Sequence, residues 1–320
     1  MRIVFFGTPY IAAEILRQIL DSKHEIIALV TQPDRPAGRG GSISFSPAKQ
    51  AALDAGIKIL QPQKVADDIF LDELEALNAQ LFVVAAYAQK LPMRLIEMPP
   101  KGCINVHPSL LPKYRGASPL TAAILNGDEK SGVTIMKVAE AMDAGDILMQ
   151  EEMPLDPHET NSTITEKAIK LGGRLLLETI EAIEAGTVRA CRQDDEKSTY
   201  VKQVSKEDGR IDFTESAAVI ERKIRAFDPW PGTYTYLNGK VFKILSADTV
   251  KESESLQYAG PDNDGIGNAG TVVYADKKRL IIATSDGFLE PLTVQLEGKK
   301  KMSMEEFLRG RQIKAGYKFG

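Results

Sequence analysis

Three runs in the first hundred residues are apolar almost without interruption: Ile3-Val4-Phe5-Phe6, Ile26-Ile27-Ala28-Leu29-Val30 and Leu81-Phe82-Val83-Val84-Ala85-Ala86. A strand that is apolar on both faces has to be covered on both, which is its situation in a parallel sheet between layers of helix. The segments between the runs can supply those helices. Residues 10–22 place Ile11, Ile15, Ile19 and Leu20 on one face at helical spacing. Further helices are predicted over 47–55, 66–77 and 119–125, with strands at 58–60, 132–138 and 147–152. The pattern predicts an α/β domain.

The opening strand, turn, helix and strand resemble one half of a Rossmann-like fold. Its turn is Gly7-Thr8-Pro9, however, and lacks the G-x-G-x-x-G spacing that lets a backbone approach a dinucleotide pyrophosphate. A nicotinamide cofactor is not expected. A helix over 163–185 closes this part, and the polar stretch around Asp194-Asp195-Glu196 reads as a linker. The expected organisation is therefore a domain of residues 1–188, a linker of 189–205 and a second domain of 206–320. That second domain has one helix, 217–226, a rigid corner at Pro229-Trp230-Pro231-Gly232, and several short strands. Asn238-Gly239 between two of the strands is a strong hairpin signal. Short strands at this density predict a small OB-like β-barrel.

The stretch richest in chemical groups is Gly102 to Pro112. Ile104 and Val106 alternate with Cys103, Asn105 and His107, so a strand there sends Asn105 and His107 to the same side. Pro108 has no N–H and holds His107 extended, so the strand ends at the histidine. Strand ends are where ligands gather in open α/β sheets. His107 is one of only three histidines. A later loop, 139–146, offers three carboxylates, Glu140, Asp143 and Asp146, any of which could serve such a histidine.

Composition closes off other classes. Two cysteines are too few for a disulfide framework, and neither they nor the histidines have metal-ligand spacing, so no metal is expected. The N-terminal apolar run is too short for a signal peptide and no run is long enough to span a bilayer; a cytoplasmic protein with no membrane partner is expected. The net charge of −4 argues against a nucleic-acid partner by itself, but from Glu297 onward seven basic residues face three acidic ones. Such a tail can hold a polyanion locally. The Gly/Pro/Ser-rich segment 31–49 reads as a long loop carrying Arg35, Arg39 and Lys49.

These motifs together resemble the methionyl-tRNA formyltransferase family, within the folate-dependent formyltransferases. The resemblance rests on Phe6-Gly7-Thr8-Pro9, the run from Thr31 to Gly40, Gly102 to Pro112, Gly132 to Met136, Met142-Asp143-Ala144-Gly145-Asp146, and Ile224 to Pro231. It implies transfer of the formyl group of 10-formyltetrahydrofolate, as co-substrate, to the α-amine of initiator methionyl-tRNA. By motif position it implies Asn105, His107 and Asp143 as catalytic residues, and Ser109, Leu110, Leu111 and Pro112 as part of the folate wall. A monomer is expected. The chain departs from the family at Gly41, Ser42 and Phe45, where lysines and a proline are usual, and at Ala88 and Lys90 near the folate wall.

The residue types suit that chemistry. An amine attacking a formyl carbon leaves a negative oxygen that needs fixed donors, and the Asn105 amide and a protonated His107 can both donate. A carboxylate beside the ring favours its charged form, and Asp143 can supply one or help move the amine proton. Apolar folate-wall candidates also include Val84, Ala85 and Leu91. Cations for tRNA are Arg35 and Arg39, with Lys206, Arg210, Lys299, Lys300 and Lys301 in the second domain. Two alternatives stand beside this reading: a folate-dependent formyltransferase acting on a small-molecule amine, and a non-catalytic RNA-binding protein.

Overall fold

The computed structural model describes residues 1–37, 42–255 and 269–320. The chain divides into two units. The first comprises Met1–Pro119, Lys130–Leu155 and Ile164–Lys202, and the second Leu120–Glu129, Asp156–Thr163 and Gln203–Gly320.

The apolar runs become the middle of a seven-stranded sheet in the first unit. Its order is Ile147–Pro154, Lys130–Lys137, Cys103–His107, Leu81–Ala85, Arg2–Gly7, Glu25–Val30 and Lys58–Leu60. From Cys103–His107 to Lys58–Leu60 all neighbours run parallel, whereas the last two strands at the other edge are antiparallel. Ile3, Val4, Phe5 and Phe6 are wholly buried. Phe6 meets Phe82 at 5.3 Å between ring centroids and Tyr87 at 5.6 Å. Each fully buried side chain of this size contributes about 1.5–3 kcal/mol, which makes these strands the structural anchor of the unit.

The described residues of segment 31–49 hold more regular structure than their composition predicts. Arg35–Ala37 pairs with Ser42–Ser44, and a helix already begins at Pro47. The helix starts there because the Ser46 hydroxyl accepts from the Lys49 amide and Pro47 needs no partner for an N–H. Arg39 and Gly41 lie outside the described residues, as does most of the polar loop read over 251–269. Within the stretch read as a linker, Cys191 bridges to Ile147 and Tyr200–Val201 pairs with Arg115–Gly116.

The second unit carries an antiparallel sheet in the order Thr233–Leu237, Lys240–Thr249, Phe288–Leu296, Leu280–Ala283 and Val272–Ala275, with Met302–Ser303 paired to Phe288–Leu296. This arrangement is consistent with a small barrel. Asn238 and Gly239 both take positive φ, as a tight hairpin turn requires. Its core is mostly aliphatic around a cluster of phenylalanines, in which Phe242 lies 5.0 Å from Phe307 and 5.5 Å from Phe319. Among the described residues, no helix is long and apolar enough to cross a membrane.

Candidate active site

Cys103–His107 lies at the turning point of the sheet, parallel to one neighbour and antiparallel to the other. Its burial pattern leaves Asn105 half-buried and His107 buried, both on one face. Beyond Pro108 the chain turns tightly, the Ser109 amide donating to the His107 carbonyl at 2.9 Å.

His107 is 4 % exposed. Its Nε2 lies 3.0 Å from the Tyr114 carbonyl oxygen. A carbonyl can only accept, so Nε2 holds the proton and the Nδ1 lone pair is left free. Nδ1 faces Asp143 Oδ2 at 3.6 Å, beyond hydrogen-bond length. Burial pushes the imidazole pKa below its ordinary value, outweighing the Asp143 carboxylate and the Tyr114 carbonyl, which both act to raise it. The ring is therefore neutral at pH 7. Asp143 does act toward the charged form, but desolvation of an enclosed imidazole is the larger effect.

The carboxylate is held by its loop. Asp143 takes φ +52°, in the left-handed region that aspartate tolerates better than most residues. Its Oδ2 accepts from the Gly116 amide at 2.8 Å. Gly145, two residues on, passes so close to the preceding strand that an added Cβ would stand 1.9 Å from the Lys137 carbonyl oxygen. Only a residue without a side chain lets the loop fold back there. Of the three carboxylates in the loop, Asp143 is the one that reaches the histidine; Glu140 is exposed, and Asp146 approaches Lys137 at 4.0 Å.

Two residues that the sequence does not single out complete this framework. Arg115, 2 % exposed, donates from Nε and Nη2 to Gln193 Oε1 at 3.1 and 2.9 Å. It also donates to Asp195 at 2.7 Å and to the Tyr200 hydroxyl at 3.1 Å. The Gln193 amide nitrogen in turn donates to the carbonyls of Asp143 at 2.8 Å and Gly145 at 2.7 Å. A buried guanidinium thus fixes a glutamine, and the glutamine fixes the loop that carries the carboxylate. The only signal for Arg115 is its Lys-Tyr-Arg-Gly turn; Gln193 sits in a polar stretch with none.

The Asn105 side chain has no hydrogen-bond partner among the described residues. Its amide is thus available to a ligand. The folate-wall candidates divide by exposure. Ser109 is wholly buried, its hydroxyl donating to the Lys113 carbonyl at 2.8 Å, and Leu111 is buried as well. Leu110 and Pro112 remain half-buried. Val84 and Leu91 belong to the apolar core, and Ala85 is also buried. At the end of the strand beside Asn105, Ala86 and Ala88 are exposed and take φ +49° and +67°, a strained turn at the edge of the site. Lys90 is exposed. The proposed tRNA cations Arg35, Lys206, Arg210, Lys299, Lys300 and Lys301 are all exposed.

The chain matches the family described as formyl transferase over residues 1–180 and that described as formyl transferase, C-terminal domain, over residues 203–312. It is 46 % identical over 320 residues to a methionyl-tRNA formyltransferase of Lachnospira eligens, covering 100 % of both chains. With the methionyl-tRNA formyltransferase of Bacillus licheniformis it shares 40 % identity, over 100 % of this chain and 98 % of the other. Among solved structures, the sugar 3N-formyl transferase WlaRD, crystallised with dTDP and 5-N-formyl-THF, aligns with a TM-score of 0.64 at 22 % identity over 94 % of this chain and 99 % of that one. HypX from Aquifex aeolicus, in complex with tetrahydrofolic acid, aligns at 0.62 and 18 % identity over 96 % of this chain but only 47 % of its own. Both family matches fall on the segments whose geometry is given above, and full-length identity extends across them: the chain belongs to the formyl transferase family, with the methionyl-tRNA formyltransferases as its relatives.

Proposed function

We propose that this protein transfers the formyl group of 10-formyltetrahydrofolate to the α-amine of methionine on initiator methionyl-tRNA, with Asn105, His107 and Asp143 as its catalytic residues. One observation carries the assignment of roles. A neutral imidazole Nδ1 and a carboxylate oxygen face each other 3.6 Å apart, and both are acceptors. Two facing acceptors favour a donor placed against them, and an attacking amine is a donor that has to lose its proton.

The folate, when bound, supplies the formyl carbon and, at N10, the leaving nitrogen. His107 Nδ1 takes the proton that the amine releases as the new C–N bond forms. The Asp143 carboxylate then faces an imidazolium and stabilises it. The Asn105 amide donates to the formyl oxygen as charge collects there, and a single fixed donor of this kind is typically worth about 3–4 kcal/mol of barrier. His107 finally returns its proton to the departing nitrogen, so the amine proton ends on the folate. The unpartnered Asn105 amide, the exposed turn at Ala86–Ala88 and the partly exposed Leu110 and Pro112 fit a flat, polar-edged ligand at this strand end.

Residues 1–188 carry the three catalytic groups and residues 206–320 hold the tRNA, whose phosphates call for the cations Lys206, Arg210 and Lys299 to Lys301, together with Arg35 and Arg39. The enzyme acts in the cytoplasm, where charged tRNA is, and because one chain carries all three catalytic groups a monomer suffices for the reaction. The test is incubation with 10-formyltetrahydrofolate and, in parallel, charged initiator tRNA, charged elongator tRNA and a nucleotide-linked amino sugar. Formylated methionine on the initiator tRNA is the expected product. A formylated sugar with no formyl-methionine would replace this reading by the small-molecule one.

A further inference from the structure

The turn that follows the strand Leu81–Ala85 is strained at two residues and gripped from outside. Ala86 and Ala88 are exposed, and both take a left-handed backbone that alanine adopts only at a cost. Such a turn persists where its surroundings hold it. Tyr87, between the two, is buried, but its side chain gives no polar anchor: the ring lies 5.6 Å from Phe6, and the hydroxyl has no hydrogen-bond partner. The hold on the backbone comes from Gln32. Its Nε2 donates to the Tyr87 carbonyl at 3.0 Å, and its Oε1 accepts from Gln89 Nε2 at 3.3 Å. Gln89 Oε1 in turn accepts from the Val65 amide at 2.9 Å, which ties the far end of the turn.

Gln32 is itself fixed from the other side. Its backbone N–H donates to the Thr8 hydroxyl at 3.2 Å, and its carbonyl accepts from Gln61 Nε2 at 2.9 Å. Gln61 also donates to Asp34 Oδ1 at 3.0 Å and accepts from Lys49 Nζ at 2.8 Å, and Lys49 pairs with Asp34. The main chain of Gln32 is thus anchored in an amide and ion-pair network, and both ends of its side-chain amide are given to one turn. That turn continues the strand whose Val84 stands in register with Asn105, so its position sets the outline of the ligand site. Among the described residues, no hydrogen bond of Gln32 reaches Asn105, His107 or Asp143.

We infer that Gln32 is a positioning residue: it holds the Ala86–Ala88 turn in its strained form and so sets the affinity for the folate co-substrate, not the rate of the chemical step. The inference rests on the folate reading above and adds a residue to which that reading gives no part. The test uses the full-length protein and calorimetric titration with 5-formyltetrahydrofolate, together with steady-state kinetics and hydrogen exchange of the peptide spanning 86–90. Gln32→Met keeps the length of the side chain and removes its amide. It is expected to weaken folate binding about five- to tenfold, as the loss of two ordinary hydrogen bonds would. KM for 10-formyltetrahydrofolate should rise by the same factor with kcat within about twofold of wild type, and the peptide should exchange faster. Ala88→Gly added to Gln32→Met is expected to recover about half of the lost affinity or more, because glycine reaches φ +67° without strain. A general packing defect would not be repaired by removing a methyl group from an exposed turn. Gln89→Met, at the turn's own end of the network, is expected to show the same weakening and the same repair, and it decides the matter if Gln32→Met does not fold.

Unchanged folate affinity in these variants would overturn the inference, while formyl transfer to methionyl-tRNA by the wild type would leave the functional reading standing. A fall in kcat at unchanged folate affinity would also overturn it, as would a loss that Ala88→Gly does not repair. The expected losses and repair in a protein whose wild type binds the folate but formylates no methionyl-tRNA would support the role of Gln32 and sink the tRNA reading. A wild type that binds no 5-formyltetrahydrofolate would sink the folate reading and the role of Gln32 together.

Discussion

At the scale of single residues, the decisive fact is that His107 is enclosed. Enclosure lowers its pKa, while Asp143 acts in the opposite direction without prevailing. The unfolded imidazole titrates near ~6.5. Folding thus favours the neutral ring: its contribution to stability is complete above the unfolded value and is lost as pH falls through the folded one. An NMR titration of the His107 ring, assigned by comparison with His107→Asn, should give a midpoint below about 6.5. In Asp143→Asn the midpoint should move lower still, because the one charge that raises it is gone; a rise would contradict this account of the pair. Asn105→Ala should reduce kcat by about 10²–10³-fold in steady-state assays while leaving the unfolding midpoint nearly unchanged, since its amide supports no other group. Sequence alone made Asn105 and His107 visible through their period of two, but the protonation state of the ring was not. Burial is a property of the covering chain, and nothing in Gly102 to Pro112 encodes it.

At the scale of elements, the loop that presents Asp143 depends on residues far along the chain. Gln193→Leu removes the donor to the Asp143 and Gly145 carbonyls and the acceptor of Arg115. A displacement of the carboxylate by about 1 Å can cost about a hundredfold in rate. Gln193→Leu should therefore lower kcat by up to that factor with KM for tRNA little altered, and should also shift the His107 titration, which a purely structural defect elsewhere would not do. Gly145→Ala should give a comparable loss of activity, read in the same assay, because its methyl group has no room beside Lys137. The strands of the parallel sheet and the Asn238-Gly239 hairpin were legible because apolar period and turn chemistry are local signals. The Arg115–Gln193 relay was not, since it joins residues 78 positions apart through side-chain hydrogen bonds. The ribbon Arg35–Ala37 with Ser42–Ser44 escaped for a different reason. Its glycines and prolines favour a loop, and only three residues pair on each side.

At the scale of the whole molecule, a chain with net charge −4 binds a polyanion only if its cations are placed where carboxylates do not neutralise them. The family of the chain was legible from motifs scattered over its length, whereas the outward aromatic face of the second unit was not. Tyr234 and Tyr236 read in sequence only as hairpin residues; in the structure they are half-exposed, alternating with the buried Thr233, Thr235 and Leu237. The core beneath that face is equally specific. Phe242→Ala should destabilise the second unit by about 3–5 kcal/mol, measured by denaturant unfolding, because the ring is wholly buried against Phe307 and Phe319.

The central claim is that a neutral His107 accepts the proton of the attacking amine. Its most direct measurement is single-turnover transfer of labelled formyl from 10-formyltetrahydrofolate to methionyl-tRNA by wild type and by His107→Ala, with tRNA affinity measured on the same samples. The expected result is a transfer rate lower by about 10²–10⁴-fold at unchanged affinity. Transfer by His107→Ala at the wild-type rate would contradict the claim.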